Sequence, residues 1–149
     1  MVTHRDIIVI GGGPAGAATA IRAAGHGVEV SVFEKGSHGR DKVCGDGLTP
    51  RAVGALQELA IDLGSAHRIQ GLRMVAGKRI RELDWPQTSR FPQHGAVWPR
   101  RQLDTALMDA ASEAGAETIY DTEVLPVIDG EGRCVGVETP NGRWTSDLV

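Results

Sequence analysis

Cys44 and Cys134 are the only cysteines among 149 residues. Two are too few for a disulfide framework, and they do not show zinc-site spacing. A reduced, cytoplasmic protein is the expectation. The five histidines, at positions 4, 26, 38, 67 and 94, are scattered and form no metal pattern. Neither charge sign dominates: 16 basic and 19 acidic residues leave a net charge of -3. That balance offers no electrostatic footprint for nucleic acid. No apolar run approaches the ~20 residues of a membrane span, although a peripheral membrane association is compatible with the sequence. The N-terminal MVTHRDIIVI runs from a short apolar stretch straight into a glycine loop, without a small-residue cleavage site. It reads as a strand rather than a signal peptide. There is no internal repeat, no low-complexity segment and no legible serine–histidine–acid triad.

What is present has an α/β rhythm. Residues 6–10 (DIIVI) form a short apolar run of the kind found in buried parallel strands. Glycines 11 to 13 break it, and the alanine-rich 14–26 (PAGAATAIRAAGH) predicts a helix with Pro14 in its first turn. Residues 28–33 (VEVSVF) alternate and predict a second strand. Further on, Thr49 is placed to cap a helix over 50–60, and 68–84 predicts a hairpin turning near Gly77. A proline-containing loop precedes a short extended piece at 96–98. Residues 101–114 predict a helix, and 116–120 a short strand. Three strands joined by tight turns, 123–128, 134–139 and 143–149, close the chain as a meander.

Gly11, Gly13 and Gly16 spell G-x-G-x-x-G between a strand and a helix. In this arrangement the first glycine permits the turn, the second lets backbone approach a pyrophosphate, and the third lets helix and strand pack closely. The free N–H groups and positive dipole end of the helix favour phosphate. Glu34 closes the second strand, eighteen residues beyond Gly16, where a carboxylate can accept ribose hydroxyls. The bland alternative is a glycine-rich turn and a surface glutamate, and this combination of context signals disfavours it. The fingerprint alone does not choose between NAD and FAD. The long excursion after Glu34 and the three-stranded meander are foreign to a plain six-stranded parallel nucleotide fold.

At these residues the chain resembles the FAD flavoproteins of the glutathione-reductase type. GGGPAGAATA is similar to their dinucleotide motif, implying Gly11, Gly13, Pro14, Ala15 and Gly16 as cofactor contacts. Glu34 and Lys35 are similar to their ribose-binding end. VWPRRQLDTALMDAASEAGAE resembles a segment shared with aromatic hydroxylases, which implies Arg100, with Leu103 and Asp104 behind it. YDTEVLPV resembles the strand whose backbone flanks the adenine, which points to Val124. The most specific likeness is RDKVCGDGLTPRA, which resembles the geranylgeranyl reductase family, reducers of isoprenoid double bonds in lipids, chlorophyll precursors or menaquinone. There the cysteine–glycine loop lies beside the isoalloxazine ring, which implies Cys44 and Gly45 at the flavin.

The resemblance covers residues 5–149 and implies a Rossmann-like FAD-binding domain with a three-stranded β-meander and an incomplete substrate domain, to which residues 68–98 would belong. Members run to about twice this length or more, as two-domain proteins do. RWTSDLV should continue into a second flavin motif, so the C-terminal half is expected to be missing or supplied by a second polypeptide. The implied substrate is an isoprenoid lipid or quinone, with NAD(P)H or another electron donor. Alternatives are a flavin monooxygenase-like protein, against which the Cys44 loop argues, and a non-catalytic nucleotide-binding remnant or split subunit. A chain of this extent is expected to be inactive alone. Cys44 has two readings, a chemical role beside the flavin or a small residue in contact with it, and Arg40 and Lys42 are near enough in sequence to favour thiolate. Cys134 reads as core. Arg100 is read toward the flavin or an ion pair, and Asp104 toward Arg100 or solvent. Trp85 and Trp98 read as packing residues.

Overall fold

The computed structural model describes residues 2–149, which divide into two compact units. The first contains residues up to 41 and from 103 onward, and the second contains residues 42–102.

In the first unit, β1 (Thr3–Ile10), α1 (Pro14–Gly25) and β2 (Val30–Phe33) form the expected strand–helix–strand. β1 and β2 pair in parallel, Ile7 opposite Val30 and Ile10 opposite Phe33. Every residue of β2 is buried, which explains its Val-Ser-Val-Phe composition. Its one polar member, Ser31, accepts from Arg5 Nε at 3.0 Å and donates to Glu117 at 2.8 Å, so its burial leaves no hydroxyl unpaired. α1 buries Ala17, Ala20 and Ala24, side chains small enough to let the helix lie close to the strands.

The second unit starts with β3 (Gly47–Leu48) and α2 (Pro50–Glu58), whose first turn is capped by Thr49 accepting from the Ala52 N–H at 3.3 Å. β4 (His67–Ile69), β5 (Gly71–Ala76), β6 (Arg79–Asp84) and β7 (Gly95–Val97) follow. The hairpin expected over 68–84 is shorter than its sequence pattern: β5 and β6 pair across Gly77, but β4 leaves it and joins β7 and β3 in a separate sheet. A long-range pairing with 95–97 takes the first residues of the apolar run, which local periodicity cannot anticipate.

α3 (Arg100–Glu113) returns the chain to the first unit, where β8 (Glu117–Ile119), β9 (Leu125–Ile128), β10 (Cys134–Thr139) and β11 (Gly142–Leu148) complete the sheet. The strand order is β8-β2-β1-β11-β10-β9. The meander β9-β10-β11 is antiparallel, as its turns predict, and β11 also runs parallel beside β1, with Thr3 opposite Trp144 and Ile7 opposite Leu148. Meander and parallel strands are therefore one mixed sheet. Its core gathers Ile8, Phe33 and Val137, against which Ile119, Val124, Trp144 and Val149 pack. Phe33 and Trp144 meet edge-to-face at 5.2 Å between centroids.

Candidate cofactor site

The end of β1 and the start of α1 place the glycine loop at the carboxyl edge of the parallel strands, where open α/β sheets bind ligands. Each glycine has a separate reason. Gly11 has φ +102°, a left-handed value that side chains rarely adopt. A Cβ on Gly16 would run into the Gly11 carbonyl oxygen, so the helix could not sit this close to the strand. Gly13 is the N-cap of α1 at φ -76° and ψ 179°, a conformation open to any residue. Backbone geometry therefore does not demand glycine there, and close approach by a ligand would. No side chain caps α1, no acidic residue stands in its first turn, and Pro14 occupies a position whose N–H would be unpaired anyway. The N–H groups of Ala15 and Gly16 lie in that uncapped first turn, as a pyrophosphate requires.

Glu34 follows β2 and is only 6 % exposed. Its backbone is held on both sides: its N–H donates to Ile119 at 2.8 Å and its carbonyl accepts from Thr122 at 3.1 Å. Its carboxylate accepts from the Gly12 N–H and the Gly36 N–H, both at 2.8 Å, tying it to the glycine loop. Burial by itself would raise this carboxyl, but hydrogen bonds from Arg40 and from Gly36 and Gly12 outweigh it, and the net shift is downward. The ionised form is thus the native one, and the stability it adds is lost as pH falls through its lowered value. Lys35 beside it is exposed. Val124 is half-buried on the Ile8–Phe33–Val137 cluster, two residues beyond the Thr122 that binds the Glu34 carbonyl.

Two expectations are corrected in this unit. Arg40 does not serve Cys44: its guanidinium lies on Glu34, Nε to Oε1 at 3.0 Å and Nη2 to Oε2 at 3.1 Å, with Nη1 3.3 Å from Asp104. Asp104 does not face solvent; it is 5 % exposed and pairs with Arg40. A contact between residues sixty-four apart leaves no local trace in the sequence. Gly12, Glu34, Arg40, Asp104, Met108 and Tyr120 line one small pocket.

In the second unit, Cys44 is exposed on the loop before β3. Asp46 shapes that loop with φ 54°, a left-handed conformation for which aspartate is one of the more tolerant residues. The Asp46 carbonyl accepts from Trp98 at 2.9 Å and its carboxylate accepts from the Arg100 N–H at 3.1 Å. The Cys44 thiol is pulled below its ordinary value, first by the Asp46 N–H and then by the Arg100 side chain. The groups that favour thiolate are therefore Asp46 and Arg100, not Arg40 and Lys42. Gly45 is exposed, with open space where a Cβ would stand. Cys134 is half-buried on β10, with its thiol 3.5 Å from the Gly136 carbonyl. Trp98 is 4 % exposed and Trp85 donates to the Ile69 carbonyl at 3.1 Å, both packed as read.

These environments give an expected result: Cys44 reacts with iodoacetamide at least about tenfold faster than Cys134, because Cys44 is exposed with its thiol pulled below its ordinary value and Cys134 is half-buried. Its rate rises with pH through an inflection below the ordinary cysteine value, and Arg100→Met moves that inflection upward. Equal rates at the two cysteines, followed by peptide mass spectrometry, would contradict the placement.

Among the described residues no group of side chains is disposed to hold a metal ion, and no helix is long and apolar enough to cross a membrane. The FAD binding domain family matches residues 4–137. A menaquinone reductase of Mycolicibacterium smegmatis is 41% identical over 146 residues, covering 96% of this chain and 36% of that protein. A digeranylgeranylglycerophospholipid reductase of Methanopyrus kandleri is 36% identical over 140 residues, covering 89% of this chain and 34% of that protein. A geranylgeranyl bacteriochlorophyll reductase-like protein from Thermoplasma acidophilum superposes with a TM-score of 0.79 at 28% identity, covering 98% of this chain and 38% of its own. This chain spans about a third of the length of the curated relatives it matches. The uncapped helix N-terminus, the unforced Gly13 and the ionised, loop-bound Glu34 suit the ADP half of FAD, the cofactor of these domains. The chain belongs to the FAD binding domain family.

Proposed function

We propose that this chain is the cofactor-binding part of an FAD-dependent reductase acting on an isoprenoid carbon–carbon double bond of a quinone or lipid. The observation that carries the reading is 41% identity to a menaquinone reductase across 96% of the chain, the Cys44 loop included. In this reading Gly11, Gly13, Pro14, Ala15 and Gly16 hold the pyrophosphate, Glu34 and Lys35 the ribose, and the backbone at Val124 the adenine. Cys44, Gly45 and Arg100 serve the flavin and substrate end. FAD, when bound and reduced, supplies hydride. Cys44 would supply the balancing proton, given from Sγ to one carbon of the double bond while the other is the one that the cofactor's hydride chemistry would serve. The Asp46 N–H and Arg100 stabilise the thiolate left behind, and solvent returns the proton to an exposed sulfur. The two electrons come from NAD(P)H or another donor, and the remaining substrate walls come from residues beyond these or from a second polypeptide.

The test is a chimera in which residues 1–149 replace the matching part of the M. smegmatis protein. The chimera is expected to bind FAD and to add two hydrogens to the prenyl chain of menaquinone under anaerobic, reducing conditions. Cys44→Ala in the chimera should slow that step without releasing FAD. A flavin-loaded chimera that leaves menaquinone unchanged, or that instead consumes oxygen to hydroxylate an aromatic, would sink the reading.

A further inference from the structure

The Glu34 carboxylate is fully subscribed. Oε1 accepts from the Gly36 N–H and faces Arg40 Nε, while Oε2 accepts from the Gly12 N–H and Arg40 Nη2. A carboxylate offers about four lone-pair sites, and these four donors use them. The two backbone donors are fixed by the fold, since they belong to the glycine loop and to the turn after β2. The two that can leave belong to Arg40, whose side chain is 22 % exposed against 8 % for Glu34. Arg40 also has somewhere to go. Nη1 is already 3.3 Å from Asp104, a second buried carboxylate on α3.

We propose that Arg40 is a latch on the ribose site: its guanidinium and the ribose hydroxyls compete for the same two Glu34 acceptor positions, and Asp104 retains the arginine when the ribose takes them. This rests on the reading of Glu34 as the ribose acceptor. The geometry makes Arg40 a positioning residue that sets how much of the cofactor's affinity comes from the ribose. The pairing of one cation with two buried carboxylates also has a reason here. A lone Glu34–Arg40 pair would have to expose an unpaired guanidinium on ligand entry, and Asp104 removes that cost.

The test compares ADP with 2′,3′-dideoxy-ADP by titration calorimetry. The two ligands carry the same charge, so any general attraction of Arg40 for phosphate cancels in the ratio of their affinities. In Arg40→Met/Asp104→Asn, which removes one charge of each sign, the preference for ADP should widen roughly fivefold or more, because a charge-assisted competitor is gone. Arg40→Lys, which keeps the charge but not the two-pronged geometry, should widen it partway. Thermal melts establish that each variant is folded, and either variant alone decides the question. An unchanged or narrower preference in the folded variants would overturn the latch and leave Arg40 as a brace for Glu34. Glu34→Ala separates the two levels: it should erase the ADP preference. If the preference survived in that variant, the ribose assignment and the latch would both fall.

Discussion

Gly13→Val is expected to leave the fold intact and remove ADP and FAD binding. The backbone at Gly13 lies at φ -76° and ψ 179°, within reach of valine, and β-branched residues favour such extended values. The substitution therefore adds little backbone strain to the free protein. It places a branched side chain at the N-cap of α1, where a pyrophosphate must approach the first-turn N–H groups. Losing two hydrogen bonds to a charged ligand, each worth ~1.5–3 kcal/mol, corresponds to about a hundredfold or more in affinity. Calorimetry with ADP measures the loss, and circular dichroism checks that helix and sheet persist. A folded variant that retained ADP as tightly as the parent would remove the glycine loop from the binding site.

Gly16→Val, three residues on in the same motif, should fail differently. A Cβ there would collide with the Gly11 carbonyl oxygen and lie 3.0 Å from Val9 Cγ1. The first of these is backbone in the turn between β1 and α1, so relief requires the helix to move off the strands that bury Ala17, Ala20 and Ala24. Overpacking of this kind costs about 3 kcal/mol or more, against a whole margin of ~5–15 kcal/mol for a domain. A chain of this size should melt roughly 10 °C lower. A melt that coincides with the parent's would show that helix and strand are not held as closely as the structure has them. The two glycines thus separate binding from folding within a single fingerprint.

That separation also marks how far the sequence could be read. The order strand, glycines, helix, strand, Glu34 is local, and each part carries a spacing or a conformational demand visible in the residues themselves. The same holds for Thr49, whose hydroxyl caps α2, and for the turns of the meander. What the pattern does not carry is contact across long separations. Nothing near Arg40 announces Asp104, and proximity along the chain points Arg40 toward Cys44 instead. Nothing in 67–69 announces a partner at 95–97 rather than the adjoining hairpin. β11 shows the limit most plainly: its alternation and turn fix its antiparallel side, but its parallel side beside β1 depends on residues at the other end of the chain. The thiol chemistry of Cys44 follows the same rule, since Arg100 reaches it through a loop held by Asp46 and Trp98.

In the proposed function one half of the cofactor, the ADP moiety, is held by the glycine loop and Glu34. The most direct measurement is displacement of FAD bound to the chain, followed by flavin fluorescence, with ADP and FMN as competitors. ADP carries the groups that the loop and Glu34 address and should displace FAD from a single site. FMN lacks the adenosine and should leave it bound at the same concentration. Displacement by FMN but not by ADP would place the anchoring contacts at the flavin end and contradict the account.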